Sequence, residues 1–259
     1  LTNEYENKVH NVDCLEYLSS IPDESYDLVI ADPPYFRIHG EFDFGWTDIE
    51  EYLEWSKSWI TECHRTLKDT GSFYLWGKIG FGKGFALFKI ADWMESENLF
   101  AIRNWITQRN TRGRGNKKGF MEAREELIFA TKSSDYTWNS AYTEEKSTRT
   151  DLGADGKPRK NKHKRVSDVW TDIAEASQSS KQRFRLSNGE NFPTVKALGL
   201  CTRIIGSSSN EGDHVLIPFG GSGSEAVAAQ KMGRDWTMTE LNQSYVEEVI
   251  LPRLTNEDG

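Results

Sequence analysis

Long apolar runs are missing from this 259-residue sequence, so no segment reads as a membrane span and no membrane partner is expected. The N-terminal residues lack the charged-then-apolar pattern of a secretory leader, and because they open on Leu1 rather than Met the true start is expected upstream. Cysteine is scarce. Cys14, Cys63 and Cys201 are odd in number and far apart, which excludes a disulfide framework and suits a reducing, cytoplasmic compartment. The five histidines, His10, His39, His64, His163 and His214, show no ligand spacing, so no metal is expected. Positive charge is also in deficit: the net charge of −8 argues, as a sum, against a polyanionic partner. No internal repeat is evident.

What is present is enough apolar residue for a core, at 37% with 12% aromatic, in one α/β domain or a domain carrying an insertion. The charge is distributed unevenly. Arg109, Arg112, Arg114, Lys117 and Lys118 lie close together, opposed only by Glu122, and "KPRKNKHKR" holds Lys157, Arg159, Lys160, Lys162, Lys164 and Arg165 without an acid. A single basic run is usually a solvated loop. Two in an acidic chain read as the footprint of a polyanion.

Short β-rich runs alternate with helical patterns. "DLVIA" (27–31), "SFYLWG" (72–77), "NWITQ" (104–108), "ELIFAT" (126–131), "HVLIP" (214–218) and "DWTMTE" (235–240) are expected strands. Residues 48–67 have apolar residues at helical spacing, an acidic start and a basic end, with Trp55 and Trp59 read as core. Residues 192–208 and 224–233 are two further expected helices, the latter closed by Gly233. This alternation predicts a doubly wound, mostly parallel α/β sheet. Residues 133–190, rich in Ser, Thr, Lys, Asp and Asn, interrupt it and are expected to form a partly flexible insertion facing the substrate.

Two stretches carry chemistry. "DLVIADPPYF" ends a strand in Asp32, Pro33, Pro34, Tyr35 and Phe36. Consecutive prolines donate no backbone hydrogen bonds and hold the residues before them extended, giving a rigid corner rich in unpaired carbonyls. Such a corner is either a strand-ending turn or a clamp for a planar ligand. "HVLIPFGGSGSEAVAAQKMGRDWTMTE" runs strand, glycine turn, helix, strand, acid. Gly221, Gly223 and Ala226 satisfy the dinucleotide pattern, and Glu240 stands where an acid accepts ribose hydroxyls. A nicotinamide dehydrogenase has no use for the proline corner, whereas an enzyme methylating an exocyclic amine does.

"ADPPY" followed much later by "PFGGSG" resembles the S-adenosylmethionine-dependent amino-methyltransferases of DNA. The order is the permuted one of the beta group, in which the catalytic motif precedes the cofactor motif. The resemblance covers most of the chain and implies a Rossmann-like class I methyltransferase fold, with residues 1–132 as catalytic half, 133–190 as target-recognition insertion and 191–259 as cofactor half. It implies that Asp13 contacts the cofactor's adenine and that Thr194 and Lys196 lie near its methionine carboxylate. Phe219, Gly221, Ser222, Gly223, Ser224 and Glu240 complete the implied cofactor site. Three positions depart from the family pattern: Ile217 replaces an acid, Phe36 an asparagine and Ala197 a proline.

On this reading Asp32 and the Pro33 carbonyl accept both hydrogens of the target amino group, aiming the nitrogen lone pair at the sulfonium methyl. Tyr35 and Phe36 stack on a base rotated out of the duplex. A cytosine carbon-5 enzyme would need a nucleophilic cysteine, typically in Pro-Cys, and the sequence has no Pro-Cys. Asp32 favours adenine N6. Cytosine N4, which more often uses Ser-Pro-Pro-Tyr, and a catalytically silent DNA-binding partner remain open, as do a homodimer or a restriction–modification partner and a prokaryotic or phage origin.

Overall fold

Consecutive residues of the central strands face opposite ways into two separate apolar layers, and that alternation organises the molecule. The computed structural model describes residues 7–37, 45–80, 83–114, 118–147, 156–157, 162–176, 184–189 and 192–255, with backbone only at 111–114. Strand β2 (Tyr26–Ala31) sends Val29 and Ala31 to one face and Leu28 and Ile30 to the other. Beneath the first face lie α1 (Cys14–Ser19), α2 (Ile49–Thr66) and α3 (Ala86–Ser96), through Leu18, Trp59, Ile60 and Met94. On the second face lie α4 (Leu198–Ser208), α5 (Ser224–Lys231) and the C-terminal helix, through Ile204, Ala228 and Ile250. That last helix starts as α6 (Gln243–Tyr245), widens into a π turn (Val246–Ile250) and ends as α7 (Leu251–Thr255).

Among the described residues the sheet has eight strands: β1 (Lys8–His10), β10 (Asp235–Thr239), β9 (His214–Ile217), β2, β3 (Leu67–Gly77), β5 (Glu122–Thr131), β4 (Ala101–Arg114) and β8 (Val169–Trp170), in that spatial order. The first five are parallel; β5 is antiparallel to β3 and β4, and β8 is parallel to β4. The doubly wound α/β class expected from the sequence is what forms. From β2 the chain winds through β3 on one side, while β9 lies on the other, so the strand order reverses between β2 and β9. Ligands of open α/β sheets gather at the carboxyl ends of strands at such a point. A separate hairpin pairs β6 (Tyr142–Lys146) with β7 (His163–Arg165).

Helix α2 forms where its pattern predicts. Asp48 caps it by accepting from Glu51 N–H, and Glu51 returns to the Thr47 N–H. Arg65 in its last turn donates to the carbonyls of Leu18 and Ile21, closing the end of α1. The helix expected over 192–208 is shorter: it starts at Leu198, and Ala197 is extended at φ −65°, ψ 130°. A helical course through 196 would lift the Lys196 ammonium off its carboxylate partners, described below. Among the described residues, no helix is long and apolar enough to cross a membrane.

Asp27 fastens the switch point. Its carboxylate accepts the His214 N–H of β9 at 2.9 Å and pairs with Lys68 of β3 at 2.7 Å. Asp27→Ala is expected to lower stability by about 1–2 kcal/mol, read as a lower denaturation midpoint with unchanged slope.

Candidate active site

The neighbouring parallel strands β1, β10, β9 and β2 end along one edge of the sheet and deliver four segments there in a row. Asp13 follows β1, Glu240 follows β10, Pro218–Gly223 follows β9 and Asp32–Tyr35 follows β2. All four border one cavity of about 1250 Å³. Residues far apart in sequence thus meet through strand order alone.

At the proline corner, the Tyr35 hydroxyl donates to Asp32 Oδ1 at 2.6 Å, and Tyr52 of α2 donates to the Pro34 carbonyl at 3.0 Å. The Lys196 ammonium lies 3.3 Å from Asp32 Oδ2, 2.7 Å from Glu125 Oε2 of β5 and 4.2 Å from the centre of the Trp76 ring. Burial raises the Asp32 carboxyl above its usual range against the opposing pull of Lys196. Burial alone would lower the Lys196 pKa, but Asp32 and Glu125 outweigh it and hold the ammonium charged. Tyr35 is pushed well above its ordinary value by burial and by Asp32, so it stays a hydrogen-bond donor.

At the glycine turn, Glu240 accepts the N–H of Gly221 at 2.7 Å and that of Asn242 at 2.8 Å. Burial raises its carboxyl. Each carboxylate oxygen keeps a further lone pair for a ligand hydroxyl. Gly221 has φ +50° and, among the described residues, nothing within 4 Å of where a Cβ would project, so the turn offers an open backbone cradle. Gly220 is pressed against the sheet: a Cβ there would meet Met238 Sδ at 2.7 Å. Asn11 donates to the carbonyls of Glu240 and Leu241, tying the ends of β1 and β10. Asp13 caps α1 by accepting from Leu15 N–H at 2.8 Å.

Of the residues singled out in the sequence, Asp13, Asp32, Pro33, Pro34, Tyr35, Thr194, Lys196, Phe219, Gly221, Ser222 and Glu240 line the cavity. Gly223 sits behind the turn at φ +74°, and the Ser224 hydroxyl faces Ser222 Oγ and Arg253 rather than the cavity. Phe36 is also turned away. It is 7% exposed and packs on Tyr52, because the corner directs Tyr35 to Asp32 and the following ring into the core. Ile217, at the position where the family carries an acid, is wholly buried in the sheet. Trp59 is core, as expected, but Trp55 borders the cavity beside Trp46 and Phe219.

The basic residues Arg109, Lys118, Lys157, Lys162, Lys164 and Arg165 are exposed, with Lys164 paired to Glu145. Lys117, Arg159, Lys160 and His39, and the side chains of Arg112 and Arg114, lie outside the described residues. The sequence reading missed Glu125 and Glu225, both on the cavity wall. Their signal was an acid set directly against an apolar run, "EELIFA" in one case and "SEAVAA" in the other.

The profile of the DNA methylase family matches residues 26–251. The chain belongs to the N6/N4 DNA methylase family. This is a family of S-adenosylmethionine-dependent methyltransferases. The chain is 34% identical to the type II methyltransferase M.BamHI of Bacillus amyloliquefaciens, over 97% of this chain and 57% of that protein. It is 31% identical to the DNA adenine methyltransferase YhdJ of Escherichia coli K12, over 95% of this chain and 81% of the relative. The PvuII cytosine-N4-specific DNA methyltransferase has the same fold, with a TM-score of 0.73 at 20% identity, covering 97% of this chain and 87% of that one.

Removing the Lys196 ammonium leaves Asp32 and Glu125 without its charge in a largely buried setting. Lys196→Met is expected to cost about 3 kcal/mol at pH 8. The loss should shrink as the pH falls toward the raised carboxyl pKa of Asp32, which denaturation at pH 5 and pH 8 will measure.

Proposed function

We propose that this chain methylates the exocyclic N6 of adenine in double-stranded DNA at a specific sequence, using S-adenosylmethionine. The observation that carries the reading is that the Asp32–Tyr35 corner and the Gly221–Glu240 turn open into one cavity. The residues fit the cofactor: an open backbone cradle at Gly221, apolar walls from Trp55 and Phe219, and carboxylate lone pairs on Glu240 for ribose hydroxyls. When bound, the cofactor supplies an electrophilic methyl group on a sulfonium.

The chain's own residues do the rest. Asp32 and the Pro33 carbonyl accept the hydrogens of the target amino group and orient its lone pair, in a site whose polar groups are fixed beforehand. Tyr52, holding the Pro34 carbonyl, and Tyr35, holding Asp32, keep the corner from relaxing. Tyr35 offers a ring to the flipped base. No cysteine serves as nucleophile: all three thiols are buried, and burial pushes Cys14, the one on the cavity wall, up to about 12.

Arg109 and Lys118, together with residues 133–190 and their basic run, are the proposed DNA-contacting and target-recognition region, the phosphate contacts positioning and the base contacts specifying. Sequence likeness to type II methyltransferases supports a role in restriction–modification. The beta-group arrangement is supported by the chain order, with the corner at 32–35 and the glycine turn at 220–223.

Incubation with labelled S-adenosylmethionine and mixed-sequence DNA, followed by digestion to nucleosides, is expected to place the label in N6-methyladenine. Label in N4-methylcytosine would transfer the same geometry to cytosine, and none in any DNA would overturn both. Asp32→Ala is expected to lower turnover at least about 1000-fold, with cofactor affinity within about threefold of wild type by calorimetry.

A further inference from the structure

Glu225 is an acid on a helix face otherwise built from alanine. It occupies the first turn of α5, directly after the glycine turn, beside the buried Ala226, Ala228 and Ala229. Its residue is 5% exposed, yet it borders the cavity shared by Asp32 and Glu240. Among the described residues one carboxylate oxygen, Oε1, has no hydrogen-bond partner, although buried polar atoms are almost always paired. The nearby cations are committed elsewhere. Lys196 sits on Glu125 and Asp32, and Arg253 donates to the Ser222 carbonyl and to Ser224 Oγ.

A buried carboxylate with a free oxygen on a cavity wall is an acceptor for a cation. S-adenosylmethionine carries two positive groups, the sulfonium and the α-ammonium of its amino-acid end. Were the ribose held at Glu240 and the sulfonium methyl presented to Asp32, the amino-acid end would have Glu225 on the same cavity wall to meet it. Only the ammonium can donate hydrogen bonds there. Ile217, apolar and buried, supplies no such acceptor from β9.

We propose that Glu225 accepts the α-ammonium of S-adenosylmethionine and is a cofactor-binding residue of this enzyme. The assignment rests on the cofactor reading given above. It also brings a proton linkage. Burial, then the charge of Asp32, push the Glu225 carboxyl up to about 7. The titratable groups facing it are Asp32 at the end of β2, Lys196 before α4, Cys201 on α4, whose thiol is its hydrogen-bond partner, and Arg253 on α7. Only the ionised carboxylate holds an ammonium. Binding below pH 7 therefore expels a proton, so affinity rises with pH through that point and falls again once the cofactor's own α-ammonium loses its proton at about pH 8.

Calorimetry with S-adenosylmethionine on the full chain is expected to show affinity rising about fivefold between pH 6 and pH 7.5. Glu225→Gln should bind about ten- to a hundredfold more weakly at pH 7.5, with a flat pH profile. A cofactor analogue lacking the α-amino group should bind wild type with a flat profile and lose nothing further in Glu225→Gln. If that variant does not fold, the contrast between cofactor and analogue on wild type still decides. Equal weakening of cofactor and analogue, or a pH-independent wild-type affinity, would overturn the Glu225 assignment alone. No binding of the cofactor at any pH would instead remove the functional reading beneath it.

Discussion

The parallel pairing of β2 with β9 joins Leu28 to Val215 and Val29 to Leu216, across nearly the whole chain, and the rest of the site depends on it. It sets the proline corner beside the glycine turn, so an amino group held at one can face a methyl donor held at the other. The pairing is buttressed at its start by Asp27, which takes the His214 N–H and the Lys68 ammonium. At its far end Lys196 plays the corresponding part, drawing Asp32 and Glu125 together from β2 and β5. A buried ion pair is weak evidence for net stability, because desolvation offsets most of its attraction. What it contributes here is geometry: the segment before α4 is kept extended along the cavity rim.

Electrostatics and packing divide the labour between the two faces of the sheet. The α1–α3 side is a continuous aromatic and aliphatic layer, with Trp59, Phe73 and Phe100 in ring contact through Phe73. It contributes rigidity under the corner through Tyr52. The α4–α5 side carries the buried charged groups Lys196, Glu225 and Arg253, so the cavity has one apolar wall and one ionisable wall. A cofactor with an aromatic base at one end and a zwitterionic amino acid at the other matches that polarity.

The six longer strands of the main sheet were legible in the sequence because their β-branched and aromatic runs leave little alternative, whereas the short edge strands β1 and β8 carry no such run and were not expected. The Asp32–Tyr35 corner drew attention because Pro-Pro after an acid is rare in a short space, and it lines the cavity. Strand ends were less so: β3 begins at Leu67 because Tyr26 of β2 pairs with it there, and β4 extends to Arg114 because antiparallel pairing with β5 carries it beyond its apolar core. The non-helical course of 192–197 was hidden because the contacts that hold it, a lysine bound to carboxylates 71 and 164 residues earlier, have no local signature. Phe36 was misjudged for the same reason. Which way a ring turns after a proline corner depends on Tyr52, an element away. Glu225 was passed over because a glycine pattern draws the eye to its glycines.

Gly220 occupies a place that the G-x-G-x-x-G pattern leaves unspecified, yet the strand behind it permits no side chain there. A methyl group at 220 would press on Met238 and, at 3.1 Å, on the Cβ of Glu240. The size of residue 238, in the floor of the sheet, therefore sets how near the loop can settle and where the Glu240 carboxylate points. Volume at 220 and volume at 238 behave as a single quantity shared between two strands. A larger residue at one would be tolerated only with a smaller one at the other.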